Sequence, residues 1–204
     1  MHNQDVHRKL EKEVRSTFAN ADDIISGPLL SSCVYLHACI NETLRMSPST
    51  PGAPWRETQA GGAIIDGSFI PTGYDVGTCI YALHHREDYF PHSYTFWPER
   101  WIPGALVSPD QFTTAHEAFH PFSLGPRGCP GRSLALLQIS LTLARVVFAF
   151  DFRPAEGELG HVGEGTPGVS NGRHRLTEFQ LGAHVTAYSK GPLLQFRAKK
   201  HQGN

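Results

Sequence analysis

Ten residues, Phe122-Ser-Leu-Gly-Pro-Arg-Gly-Cys129-Pro-Gly131, set one cysteine in a glycine- and proline-rich loop that runs directly into an apolar stretch. Gly125 and Gly128 carry no Cβ, so the backbone can turn sharply there and a flat group can come within contact distance. Pro126 and Pro130 restrict φ around them. Pro130 also lacks an N–H, which is harmless at the first helical position, so the spacing predicts Cys129 as a helix N-cap. A sulfur in that place faces unpaired amides and the positive end of the helix dipole, both of which favour thiolate over thiol. Arg127 adds a planar cation suited to a carboxylate. An isolated loop cysteine is more often a small buried apolar residue, but a thiolate presented in this way can ligate a metal.

The apolar run Leu134 to Phe150 is interrupted by Gln138, Ser140, Thr142 and Arg145 and falls short of the roughly 20 residues that span a bilayer. It predicts a core helix over 130–148, apolar on most faces. A chain of 204 residues, 40% hydrophobic, is expected to form one domain or part of one. The net charge of −1, with no basic run, argues against a nucleic-acid partner. Cys33, Cys39, Cys79 and Cys129 contain no C-x-x-C pair, which predicts free thiols rather than a disulfide framework. The N-terminus has no apolar segment of the kind a signal peptide needs, so neither leader nor anchor is expected in this chain.

Val6, Leu10, Val14 and Phe18 recur every four residues and predict an amphipathic helix ending before Ala21. A second helix is expected over 28–46, burying Leu29, Leu30, Cys33, Leu36, Ile40 and Leu44 and stopped by Ser47-Pro48. Residues 53–83 break into short apolar pieces between Gly and Pro, with Asp66-Gly67 as a hairpin signal. Residues 84–128 show no period and read as a long wrapped segment. After the helix comes a glycine-rich tract, and Val185 to Phe196 predicts two closing strands around a turn. Glu42 and Arg45 share a helix face, which by itself marks no more than a common surface pair.

The loop resembles the haem-binding signature F-x-x-G-x-R-x-C-x-G of the cytochrome P450 family. All five specified positions are present: Phe122, Gly125, Arg127, Cys129 and Gly131. The helix containing Glu42-Thr-Leu-Arg45 resembles the E-x-x-R helix of that family, and Phe96-Trp-Pro-Glu-Arg100-Trp resembles its P-E-R segment. The resemblance implies a mainly α chain with small β-sheets (α+β), a partial P450 fold holding the proximal side of the haem. Residues 1–204 would be the C-terminal part of one P450 domain, from about helix J onward. Within it fall the E-x-x-R helix (28–46), a β-rich segment (53–83), the P-E-R and meander region (84–121), the thiolate loop (122–131), the apolar helix (130–148) and closing strands (176–198).

The same resemblance implies the site. Cys129 would be the axial ligand of haem b (iron protoporphyrin IX), Arg127 would pair with a propionate, and Phe122 would pack near the sulfur. Arg56 lies where family members often place a second propionate-binding arginine. Glu42, Arg45 and Arg100 would form a structural cluster behind the haem. Pro51 to Trp55 and the turn from His184 to Pro192 would line the substrate side. The implied activity is that of a haem-thiolate monooxygenase acting on a small apolar organic substrate, with electrons from an NADPH-dependent flavoprotein reductase. A full-length eukaryotic member would sit on the cytosolic face of the endoplasmic reticulum membrane. Complete members are more than twice this length, and their earlier part carries the anchor, most of the substrate pocket and a distal acid-threonine pair. Gly163-Glu-Gly-Thr166, after the cysteine, is no substitute for that pair. The alternative is therefore a truncated, catalytically inactive haem-binding remnant or a partial gene model.

A competing motif is His116-Glu117-Ala-Phe-His120, which matches the H-E-x-x-H pattern of zinc metallopeptidases. Pro121 disfavours helical geometry at His120, so the rings lack the long helix such a site uses. His84 and His85 are expected to orient backbone or cofactor carboxylates rather than to bind a metal.

Overall fold

A computed structural model describes residues 3–104, 106–170, 172–176, 178–183 and 185–199. Helix α1 spans Gln4–Thr17 and buries Leu10 and Val14, with Phe18 buried at its end. The helix expected over 28–46 is divided into α2 (Pro28–Ser31) and α3 (Val34–Met46), with Cys33 as the N-cap of α3. The division has an identifiable cause. Glu13, on α1, accepts hydrogen bonds from the amides of Tyr35 and Leu36, both at 2.8 Å, so a carboxylate from another helix caps α3 where its dipole is positive. The break leaves Leu29 exposed, contrary to the expectation for a continuous helix, while Leu30, Cys33, Leu36, Ile40 and Leu44 are buried. Glu13→Ala is expected to cost about 2 kcal/mol, because it strands two amides that a charged acceptor holds. Urea denaturation measures this, and an unchanged midpoint would show that water caps α3 equally well.

Four short strands follow: β1 (Arg56–Glu57), β2 (Ala63–Ile65), β3 (Ser68–Ile70) and β4 (Asp75–Val76). β2 and β3 form the hairpin expected at Asp66-Gly67, pairing Ile65 with Ser68. Both turn residues have positive φ, 46° and 73°, the geometry a two-residue hairpin demands. β1 pairs antiparallel with β4. The β-rich reading ran to residue 83, but the chain turns helical at α4 (Ile80–His84).

The wrapped segment is more regular than its lack of period suggested. It holds a 3-10 turn at Pro98–Trp101 and a ten-residue helix, α5 (Pro109–Ala118). Ser108 and Gln111 form a reciprocal capping box with Pro109 at the first helical position.

Helix α6 (Arg132–Ala149) packs on α1 and α3, and these three helices enclose the main core. The expectation of a helix buried on most faces is not met, since only Ser140, Ala144 and Val147 are buried. One side packs, and Leu134 and Ile139 lie exposed. Among the described residues α6 is the one helix long and apolar enough, by length and composition, to cross a membrane. The closing strands also differ from expectation. β6 (Gly182–Ala183) pairs with β7 (Ala187–Tyr188), while β8 (Leu194–Ala198) pairs with β5 (Phe150–Pro154) directly after α6. Aromatic packing explains the partner: Phe196 lies 5.7 Å from Phe152 and 6.0 Å from Phe150, ring centre to ring centre.

Candidate functional site

Helix α3 presents Glu42 and Arg45 inward, and the 3-10 turn at Pro98–Trp101 brings Arg100 against them. Glu42 and Arg45 are 0% exposed and Arg100 is 2% exposed. Arg45 donates to the Glu42 carboxylate from Nε at 3.0 Å and Nη2 at 2.9 Å, and Arg100 donates from Nε at 3.1 Å. Two further donors complete the carboxylate: the Trp97 amide and the Trp101 indole, each at 2.9 Å. Sequence reasoning found the three charges and missed Trp101. Its signal was present, because a buried indole N–H needs an acceptor and Trp101 adjoins Arg100. Burial lowers the Arg100 pKa, and Glu42 works against that shift.

The cysteine loop is closed by its own backbone. The Cys129 amide donates to the Phe122 carbonyl and the Gly128 amide to that of Gly125, both at 2.9 Å. Gly125 takes a φ of +65°, which an L side chain rarely adopts. The N-cap of α6 is Gly131, not Cys129 as the spacing predicted. Pro130 and Gly131 form a separate turn before the helix, whose first amide-to-carbonyl bond runs from Ala135 to Gly131 at 2.9 Å. The sulfur still lies beside the helix start, since a Cβ added at Gly131 would meet Cys129 Sγ at 3.8 Å.

Cys129 and Cys79 are exposed, Cys33 and Cys39 are buried, and all four are free thiols. Five residues to either side of Cys129 in the chain, Leu124 is 62% exposed and Leu134 61%. Arg127 ends the 3-10 turn Gly125–Arg127, exposed and with no ion pair among the described residues. Phe122 is half-buried against the main core. Arg56 is exposed on β1, where its guanidinium donates to the carbonyls of Pro54 at 3.2 Å and Trp55 at 2.7 Å. These features fit an iron porphyrin. Cys129 is exposed, exposed leucines lie before and after it in the chain, exposed Arg127 stands two residues before it without an ion pair among the described residues, and a Cβ at Gly125 would meet nothing within 4 Å. The Ala187 amide donates to the Ser49 carbonyl at 2.8 Å, which brings the β6–β7 hairpin to the start of the Pro51–Trp55 stretch. His184, at one end of the turn expected on the substrate side, lies outside the described residues.

The H-E-x-x-H pair is not presented by one helix. α5 ends at Ala118 with Phe119 extended, so His116 is helical and His120 is not. His84 and His85 are both buried, and their ring nitrogens meet backbone groups: the His120 amide at 3.1 Å and the Tyr81 carbonyl at 2.8 Å. Burial is the main cause that holds both imidazoles down at about 4. Between pH 6.5 and 4 the unfolded chain therefore binds protons that the folded chain refuses, and stability falls as pH falls through that window. Full passage costs on the order of 3 kcal/mol for each histidine. The urea midpoint is expected to be lower at pH 5 than at pH 7.5, a range in which carboxylates remain ionised. Equal midpoints would sink this assignment.

A family model described as Cytochrome P450 matches residues 1–172. A cytochrome P450 monooxygenase of Gibberella zeae is 41% identical over 194 residues, covering 95% of this chain and 44% of the relative. Cytochrome P450 monooxygenase AKT7 of Alternaria alternata is 43% identical over 192 residues, 93% of this chain and 37% of that protein. Cytochrome P450 monooxygenase apf8 of Gibberella fujikuroi is 43% identical over 201 residues, 97% of this chain and 53% of that protein. The chain thus spans 37% to 53% of the length of these relatives.

Proposed function

The chain belongs to the cytochrome P450 family, and from that premise we propose that it is the haem-ligating portion of a haem-thiolate monooxygenase. The net reaction is RH + O2 + two electrons + two protons to ROH + water, with an NADPH-dependent flavoprotein reductase as electron donor and a small apolar molecule as RH. The observation that carries this reading is the exposed Cys129 thiol, held in a self-closed loop at the start of α6 with exposed Leu124 and Leu134 before and after it in the chain. When bound there, haem supplies oxygen activation, because a thiolate ligand pushes electron density toward the iron and favours O–O cleavage, as in P450s generally.

The residues of the loop and those behind it then have distinct roles in holding the group. Cys129 provides the thiolate. Arg127 and Arg56 would pair with propionates, Gly125 and Gly131 keep space open, and Phe122 shields one side of the sulfur from water. Glu42, Arg45 and Arg100 hold the structure behind the loop. Endoplasmic reticulum localisation goes with this reading for a full-length eukaryotic protein.

The alternative reading is a haem-binding remnant without turnover. One reconstitution separates the two. The chain is loaded with haemin, passed through gel filtration, then supplied with reductase, NADPH and an apolar probe. Retained haem with hydroxylated product is the expected monooxygenase result. Retained haem with no product favours the remnant, and haem lost on the column overturns both.

A further inference from the structure

The buried cluster and the cysteine loop are joined through one side chain. Arg45 Nη1 donates to the His84 carbonyl at 2.8 Å, and His84 Nε2 accepts the backbone N–H of His120 at 3.1 Å. From His120 the chain is stitched onward to the sulfur. The Ser123 amide donates to the His120 carbonyl at 3.1 Å, and the Cys129 amide to the Phe122 carbonyl at 2.9 Å. The imidazole is 0% exposed and sits against Phe90 and Phe119, 5.9 Å and 5.3 Å between ring centres.

Because Nε2 accepts, the ring proton resides on Nδ1, and Nδ1 is buried without a partner among the described residues. An unpaired buried donor is a cost that proteins ordinarily avoid. If this position needed only to fill the space between two phenylalanines, an apolar side chain would fill it without that cost. What histidine adds is the acceptor at Nε2. We propose that His84 is a positioning residue for the Cys129 loop, its Nε2 fixing the backbone at His120 in register with Arg45. The consequence for iron ligation rests on the haem-thiolate reading, whereas the effect on the loop does not.

The test compares His84→Leu, which removes the acceptor, with His84→Gln, whose side-chain oxygen reaches the place of Nε2. Hydrogen exchange is followed in the haem-free chain over residues 120–129 and, as a reference, over α1. Exchange in the loop is expected to be roughly tenfold faster in His84→Leu, with α1 unchanged and His84→Gln like the parent. Equal loop exchange in the parent and His84→Leu overturns the proposal. So does His84→Gln behaving like His84→Leu, which would assign the position to packing. Should His84→Leu loosen α1 as well, the glutamine variant decides alone: a protected loop supports the proposal and an unprotected loop removes it. In haem-loaded chains the ferrous carbon monoxide complex of His84→Leu is expected to lose red-shifted Soret intensity that His84→Gln keeps. A parent chain without that band would count against the Cys129 ligand, and the exchange result would stand apart from it.

Discussion

Glu42→Gln is expected to remove about 3–5 kcal/mol of folding stability, because it leaves two buried guanidinium groups without their counter-charge. The carboxylate accepts from five donors, on Arg45 (two), Arg100, Trp97 and Trp101, all within 3.1 Å. An amide has one oxygen, so its NH2 group would face donors it cannot accept from. With Arg45 fully buried and Arg100 nearly so, water cannot make good the loss. Domains have only about 5–15 kcal/mol in hand, so the variant should sit near the edge of folding. Urea denaturation gives the number. A loss below about 1 kcal/mol would mean that the cluster is hydrated in solution.

Cys129→Ala is expected to abolish the red-shifted Soret band of the ferrous carbon monoxide complex while leaving the fold intact. The thiol is exposed, and the loop is closed by the residue 129 amide, which alanine retains. The urea midpoint should therefore move by no more than about 0.5 kcal/mol equivalent. Cys79→Ala, the other exposed thiol, is the control and should keep the band. A Cys129→Ala chain with a spectrum identical to the parent would end the ligand assignment, and one that unfolds would make the residue structural instead.

The cysteine loop, the amphipathic α1 and the Asp66-Gly67 hairpin were legible because each is encoded by neighbours a few residues apart. Glu42, Arg45 and Arg100 were legible only through the family pattern, since spacing says nothing about what lies 58 residues away. The break before α3 was hidden because its cap, Glu13, belongs to a different helix. Helix α5 was overlooked for another reason. Its buried side is a single residue, Ala115, which leaves no apolar period to detect, although the Ser108–Gln111 capping box and Pro109 were readable. The pairing of β5 with β8 joins residues 44 apart, Phe152 and Phe196, and strand partners at that distance have no local signature. The helix start at Gly131 shows the limit of the proline rule. Pro130 is compatible with a first helical position but equally at home in the turn that precedes one.

The cluster around Glu42 also constrains the order in which the chain becomes compact. Its donors lie 55 to 59 residues downstream, on Trp97, Arg100 and Trp101. Until that segment arrives, only Arg45 is at hand, and a carboxylate–guanidinium pair with unmet hydrogen bonds is too costly to take out of water. The inward face of α3 then stays hydrated until that segment docks. During synthesis this face would stay open until Pro98–Trp101 has emerged, and the arrival of that segment would act as the ratchet that closes it.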